Sequence, residues 1–158
     1  MDQSAIVRYI AETFSGVDIV TPTDGIASGD TFFIYDPDRN LDEKQRFPFA
    51  TIVTKDYGEF DNASNLNRPG VFRLNIGVSR DTYRSLLGSP STAAGEGETR
   101  HDFTVLDQLL PHPVYAAQSW VCVLNPSDET FELVRPLLAE AYERVARRRG
   151  ARGSTLES

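Results

Sequence analysis

Only one cysteine, Cys122, stands in the 158 residues, so no disulfide can form within the chain and a reducing, cytoplasmic setting is expected. No apolar stretch approaches the ~20 residues needed to span a bilayer. The start, MDQSAIVRYIAETF, lacks the basic opening and unbroken apolar run of an export signal, so secretion is not expected. Positive charge is also scarce: 16 Lys and Arg stand against 23 Asp and Glu, a net −7. An average surface of that sign repels nucleic acid and anionic membranes, and neither is expected as a partner. No glycine-rich phosphate loop and no Cys/His set with metal spacing is present. Asp56, Glu59, Asp61 and Asn62 lack the ligand spacing and closing glutamate of a calcium loop, and read as a solvated segment. No metal or cofactor is predicted.

What is present suits one globular domain. At this length folding buries roughly 70% of the chain's surface, enough for a core without staples. Ile6, Val7, Ile10 and Phe14 recur at helical spacing, with Gly16 as a left-handed stop. Val17 to Val20, Thr31 to Tyr35 and Phe49 to Lys55 read as strands. Asp36-Pro37-Asp38-Arg39-Asn40 makes a turn, and residues 56–70 a polar loop. Residues 71–78 alternate: Phe72, Leu74, Ile76 and Val78 face one way, Val71, Arg73, Asn75 and Gly77 the other.

Ser79 can cap a helix carrying Tyr83, Leu86 and Leu87. Residues 88–100, small and glycine-rich, read as flexible. Asp102 is placed to cap a short helix through Leu110, ended by Pro111 and Pro113. Ser119 to Leu124 reads as the last strand, with Cys122 an inert buried thiol and Trp120 a packing residue. Ser127 caps a helix with Phe131, Val134, Leu137, Leu138, Ala141 and Val145 on one stripe. Pro136 must kink that helix or begin a second one. The Arg144, Arg147, Arg148, Arg149 and Arg152 cluster suits a helix C-terminus, where cations complement the dipole.

No βαβ alternation appears. The pattern predicts an α+β fold in two layers, one mostly antiparallel sheet with helices packed on one face. Residues 1–149 form the single domain and 150–158 a flexible tail.

The runs FPFATIVTK, GVFRLNIGVSRDTYRSLL, HDFTVLDQLLPHPVYAAQSWVCVLNPS and VRPLLAEAYERV resemble a family of uncharacterised single-domain proteins common in actinobacteria, over about residues 4–148. That likeness implies no activity. Phe72 to Val78, Pro111 to Tyr115, Trp120 to Leu124 and Leu137 to Val145 are also similar to parts of the YjbR/MmcQ-like proteins. This second resemblance implies a two-layer α+β fold and carries a DNA-binding label, against which the acidic charge stands.

Candidate site residues follow from the outward side of the alternating strand. Arg73 and Asn75, with Lys55 on a neighbouring strand, suit a carboxylate or phosphate, since a guanidinium fork beside an amide matches an anion's oxygens. His101, His112 and Tyr115 flank the short helix expected from Asp102 to Leu110. Either imidazole is a candidate general base near neutral pH, with Asp102 orienting it and Tyr115 or Arg73 as electrostatic partner. No nucleophile motif accompanies them. The leading expectation is therefore a non-catalytic module that binds a small anionic ligand on the open sheet face, or a protein partner or second copy there. A cofactor-independent enzyme and a nucleic-acid binder are the alternatives.

Overall fold

The amphipathic start of the chain folds as α1 (Gln3–Thr13), whose first free amides are met by Asp2, its carboxylate accepting from Ala5 N at 2.8 Å. In this computed structural model, which describes residues 1–88 and 101–157 with side chains through Arg148, Ile6 and Ile10 of that helix are fully buried. Gly16 then turns the chain with φ of +74°. A Cβ there would lie 2.9 Å from Pro37 Cβ, so both the backbone angle and the close approach call for glycine.

Six strands follow: β1 (Val17–Val20), β2 (Thr31–Tyr35), β3 (Ala50–Val53), β4 (Arg73–Gly77), β5 (Leu109–Pro111) and β6 (Trp120–Leu124). They form one antiparallel sheet in the order β1-β2-β3-β4-β6-β5. Two helices complete the chain, α2 (Arg80–Leu87) and α3 (Asp128–Glu157). Ser79 caps α2 through Thr82 N, and Ser127 Oγ accepts from Thr130 N at the start of α3. The fold is the expected α+β arrangement, with α3 running through Pro136 as one helix.

One face of the sheet carries the main core. Phe33, Ile52, Leu74, Ile76, Val121 and Val123 meet Ile6 and Ile10 of α1 and Phe131, Val134, Leu138 and Ala141 of α3. The predicted stripe on the last helix is buried from Phe131 to Ala141, and Val145 is half-buried. No helix among the described residues is long and apolar enough to cross a membrane.

Three local expectations give way. Residues 102–108 form turns rather than a capped helix: Asp102 Oδ1 accepts from both the amide and the hydroxyl of Thr104, a local Asx turn that competes with helix. The chain then enters β5, where Leu110 is buried against β6. Pro111 is tolerated there because β5 is an edge strand. The segment 56–70 is not simply solvated, since Asp61, Ser64 and Leu66 are buried. Nor is the outer sheet face open along its length: Arg73 and Asn75 lie buried, with Asp61 and Ser64 bonded to Arg73 and His112 beside it. The flexible segment expected at 88–100 lies, past Gly88, outside the described residues, and the tail expected from Gly150 lies beyond the described side chains.

Candidate functional site

Alternation along β4 sends Arg73, Asn75 and Gly77 to the face away from the helices, and cross-strand register surrounds them. Asn75 pairs with Thr51 and Cys122, Arg73 with Val53 and Leu124, and Gly77 with Trp120. A cleft of about 740 Å³ lies over this floor. Its walls are aromatic: Phe32, Phe47, Tyr57, Phe60, Tyr115 and Trp120. Phe47 and Phe60 stand on the rim, 75% and 62% exposed, and the Phe60 ring lies 6.1 Å from that of Tyr115. Such exposure of large aromatics around a concavity is the usual signature of a binding surface.

Gly77 makes room for the indole. A Cβ at that position would fall 2.9 Å from Trp120 Cε2, so the ring lies directly over the glycine. The segment bearing Phe47 is fixed by Arg46, which donates to Asp36 at 2.9 Å and to Asp18 at 2.6 Å.

One end of the cleft is built around Arg73, a fully buried guanidinium. Its Nε donates to Asn75 Oδ1 at 2.8 Å. Its Nη1 donates to Asp61 Oδ1 at 3.1 Å and Ser64 Oγ at 2.9 Å, and its Nη2 to Asp61 Oδ2 at 2.6 Å. The fork thus already holds a carboxylate from the chain itself. Asn75 Nδ2 donates in turn to Thr51 Oγ1 at 2.9 Å. A buried charge needs a counter-ion such as Asp61, because an unmatched ion there costs roughly several kcal/mol in lost hydration.

His112, 3% exposed, sits beside this pair with Nε2 3.3 Å from Arg73 Nη2. Its Nδ1 accepts from the amides of Val114 and Tyr115, each at 3.0 Å. Burial first, and the Arg73 charge second, lower its pKa to about 3, so the ring is neutral at physiological pH. Cys122 behind it is buried, and its thiol is pushed up to about 12, again by burial.

The other end lies past the end of β4, along α3. Arg144 Nη1 donates to the carbonyl of Val78 at 2.8 Å, which brings its guanidinium to the cleft with Arg148 one turn further on. Among the described residues no carboxylate makes an ion pair with either. Burial first, and the neighbouring Arg148 second, lower the Arg144 pKa, and the Glu140 carboxylate offsets them only in part.

Arg73, Asn75, His112 and Tyr115 therefore line one cleft. Lys55 does not: its Nζ is 2.6 Å from Ser28 O and 3.3 Å from Asp30, above the Tyr57 ring. Asp30, fully buried, also accepts from Thr54 and the Tyr57 hydroxyl. Burial and then that carboxylate raise the Tyr57 pKa. His101 stands apart from the cleft beside Phe103, with ring centroids 6.0 Å apart. Asp61, Ser64 and the rim phenylalanines escape sequence reasoning, since loop residues carry no period that assigns them a face. Arg144 and Arg148 had a signal: they fall on the helical stripe of Ala141 and Val145. Among the described residues no group of three or more His, Cys, Asp or Glu is placed to hold a metal.

A family model described as a family of unknown function (DUF6194) matches residues 1–154, and the chain belongs to that family. No curated protein and no solved structure matches the chain.

Proposed function

We propose that this DUF6194 domain is a binding protein that takes a small amphipathic anion into the outer cleft. The observation that carries this reading is the pairing of an aromatic-walled cavity with two arginines, Arg144 and Arg148, that make no ion pair with any described carboxylate. A carboxylate or phosphate meets the arginines, and an aromatic or apolar body lies against Trp120 and the rim phenylalanines. The anion lodges there, and not on Arg73, because Asp61 fills the Arg73 fork.

Binding without turnover is supported by the state of His112. Two backbone amides occupy its Nδ1, and burial holds the ring far from the pKa that a general base needs at neutral pH. The unpaired, buried Cys122 suits the reducing interior inferred from composition.

Trp120 is the only tryptophan in the chain, so its emission reads the cleft directly. Phenylacetate and phenyl phosphate are expected to change that emission saturably, while neutral benzyl alcohol does not. Arg148→Gln, at an exposed position, is expected to weaken the anions about tenfold with stability held within about 0.5 kcal/mol. Equal responses to the anions and to benzyl alcohol, or an unchanged affinity in Arg148→Gln, would defeat the reading.

A further inference from the structure

The hydrogen-bond partners of His112 fix its tautomer. Backbone N–H groups only donate, so the two amides 3.0 Å from Nδ1 require a lone pair there, and a neutral ring then carries its proton on Nε2. The Nε2–H consequently faces the Nη2–H of Arg73 across 3.3 Å, donor against donor. The remaining four N–H groups of Arg73 have oxygen acceptors. One N–H of Asn75 goes to Thr51, and its second has no acceptor among the described residues. Buried donors without acceptors are costly, and here they cluster on the floor of a cleft.

Charge decides what can satisfy them. Asp61 cancels Arg73, and the ring of His112 is neutral, so the cluster offers donors without net positive charge. An anion brought here would be desolvated with no unpaired cation to meet it, since Arg73 is already matched by Asp61, whereas an uncharged carbonyl or hydroxyl oxygen accepts without that penalty. Resting on the reading of the cleft given above, we infer that the ligand is two-ended: an uncharged oxygen acceptor received by His112 Nε2–H beside Arg73, and an anionic group at Arg144 and Arg148. His112 is on this account a specificity-determining donor.

Three probes separate the possibilities: para-acetylphenylacetate, its near-isosteric para-isopropyl counterpart, and para-carboxyphenylacetate, each titrated into the full chain by Trp120 emission. The acetyl compound is expected to bind about tenfold tighter than the isopropyl compound, the worth of one hydrogen bond to a buried donor. It should also bind more tightly than the dicarboxylate. His112→Asn keeps an acceptor for the Val114 and Tyr115 amides but removes the Nε2 donor, and is expected to erase the acetyl preference while retaining the fold. Nitrogen NMR of the labelled histidine is expected to show an Nε2-protonated ring at neutral pH, with its Nε2 resonance moving on addition of the acetyl probe.

An Nδ1-protonated or doubly protonated ring overturns this inference whatever binds. Equal affinity for acetyl and isopropyl, or preference for the dicarboxylate, also overturns it, while leaving anion binding at Arg144 and Arg148 intact. Failure of all three probes defeats the anion reading, and the inference with it.

Discussion

Along β4 the two faces of one strand meet opposite surroundings at equal burial. Leu74 and Ile76 face α1 and α3 and touch hydrocarbon; Arg73 and Asn75, one residue away, are as completely enclosed but make polar contacts. The helix-side face is held by area and volume, which are forgiving: hydrophobic exchanges of similar size usually cost under about 1.5 kcal/mol. The cleft-side face is held by a network in which each donor depends on a named acceptor, and losing one strands its partner. The comparison separates two roles in one strand. The first face stabilises the sheet, and the second holds chemically specific groups at the floor of the cleft.

The contrast predicts a pH dependence that belongs to one face alone. His112 has a folded pKa of about 3 against an ordinary value of 6.5. Between those values the unfolded chain binds the extra proton, so its neutral burial favours the fold above pH 6.5, and that advantage drains away as pH falls toward 3. The slope is about 1.4 kcal/mol per pH unit within the window. Denaturant titrations of wild type and His112→Asn should differ by this slope between pH 6.5 and the point where carboxylates begin to protonate. Parallel curves would show that the ring is not held neutral by the fold.

Substitution within β4 sharpens the contrast further. Arg73→Met leaves Asp61 buried and unpaired and is expected to cost about 3–5 kcal/mol, whereas Leu74→Met costs less than about 1.5. Adding Asp61→Leu to Arg73→Met should restore part of the loss, because the pair is then removed together. Urea midpoints check this, and a double variant no more stable than Arg73→Met would remove the proposed distinction.

A smaller effect is expected at the end of the strand. Gly77→Ala places a methyl against the Trp120 ring and should cost about 1–3 kcal/mol while shifting the emission of the only tryptophan. An unshifted spectrum would mean that the indole does not lie over Gly77.

Much of the fold was legible because alternation and helical spacing are local properties. Phe72, Leu74 and Ile76 declare a strand face, and Phe131, Val134, Leu138 and Ala141 declare a helix stripe, without reference to any partner. The stretch from Asp102 to Leu110 misled because its leucines fit a helical period while an Asx turn and pairing to β6 offered its backbone better bonds. Of the site candidates, Arg73, Asn75, His112 and Tyr115 meet in one cleft, and Lys55 and His101 do not. Sequence separation explains the difference: nothing local says which loop returns over which strand.

The sequence by itself determined that Arg73 and Asn75 share a face opposite the apolar residues of β4, because side chains alternate along any strand. It likewise determined that the last helix would bury one stripe. Only the tertiary structure decided that Asp61, from a loop twelve residues earlier, fills the Arg73 fork, and that Arg144 reaches round to the same cleft from the other layer. The period of a strand or helix orients a side chain relative to its own backbone. What that side chain meets is decided by long-range packing, which no period encodes.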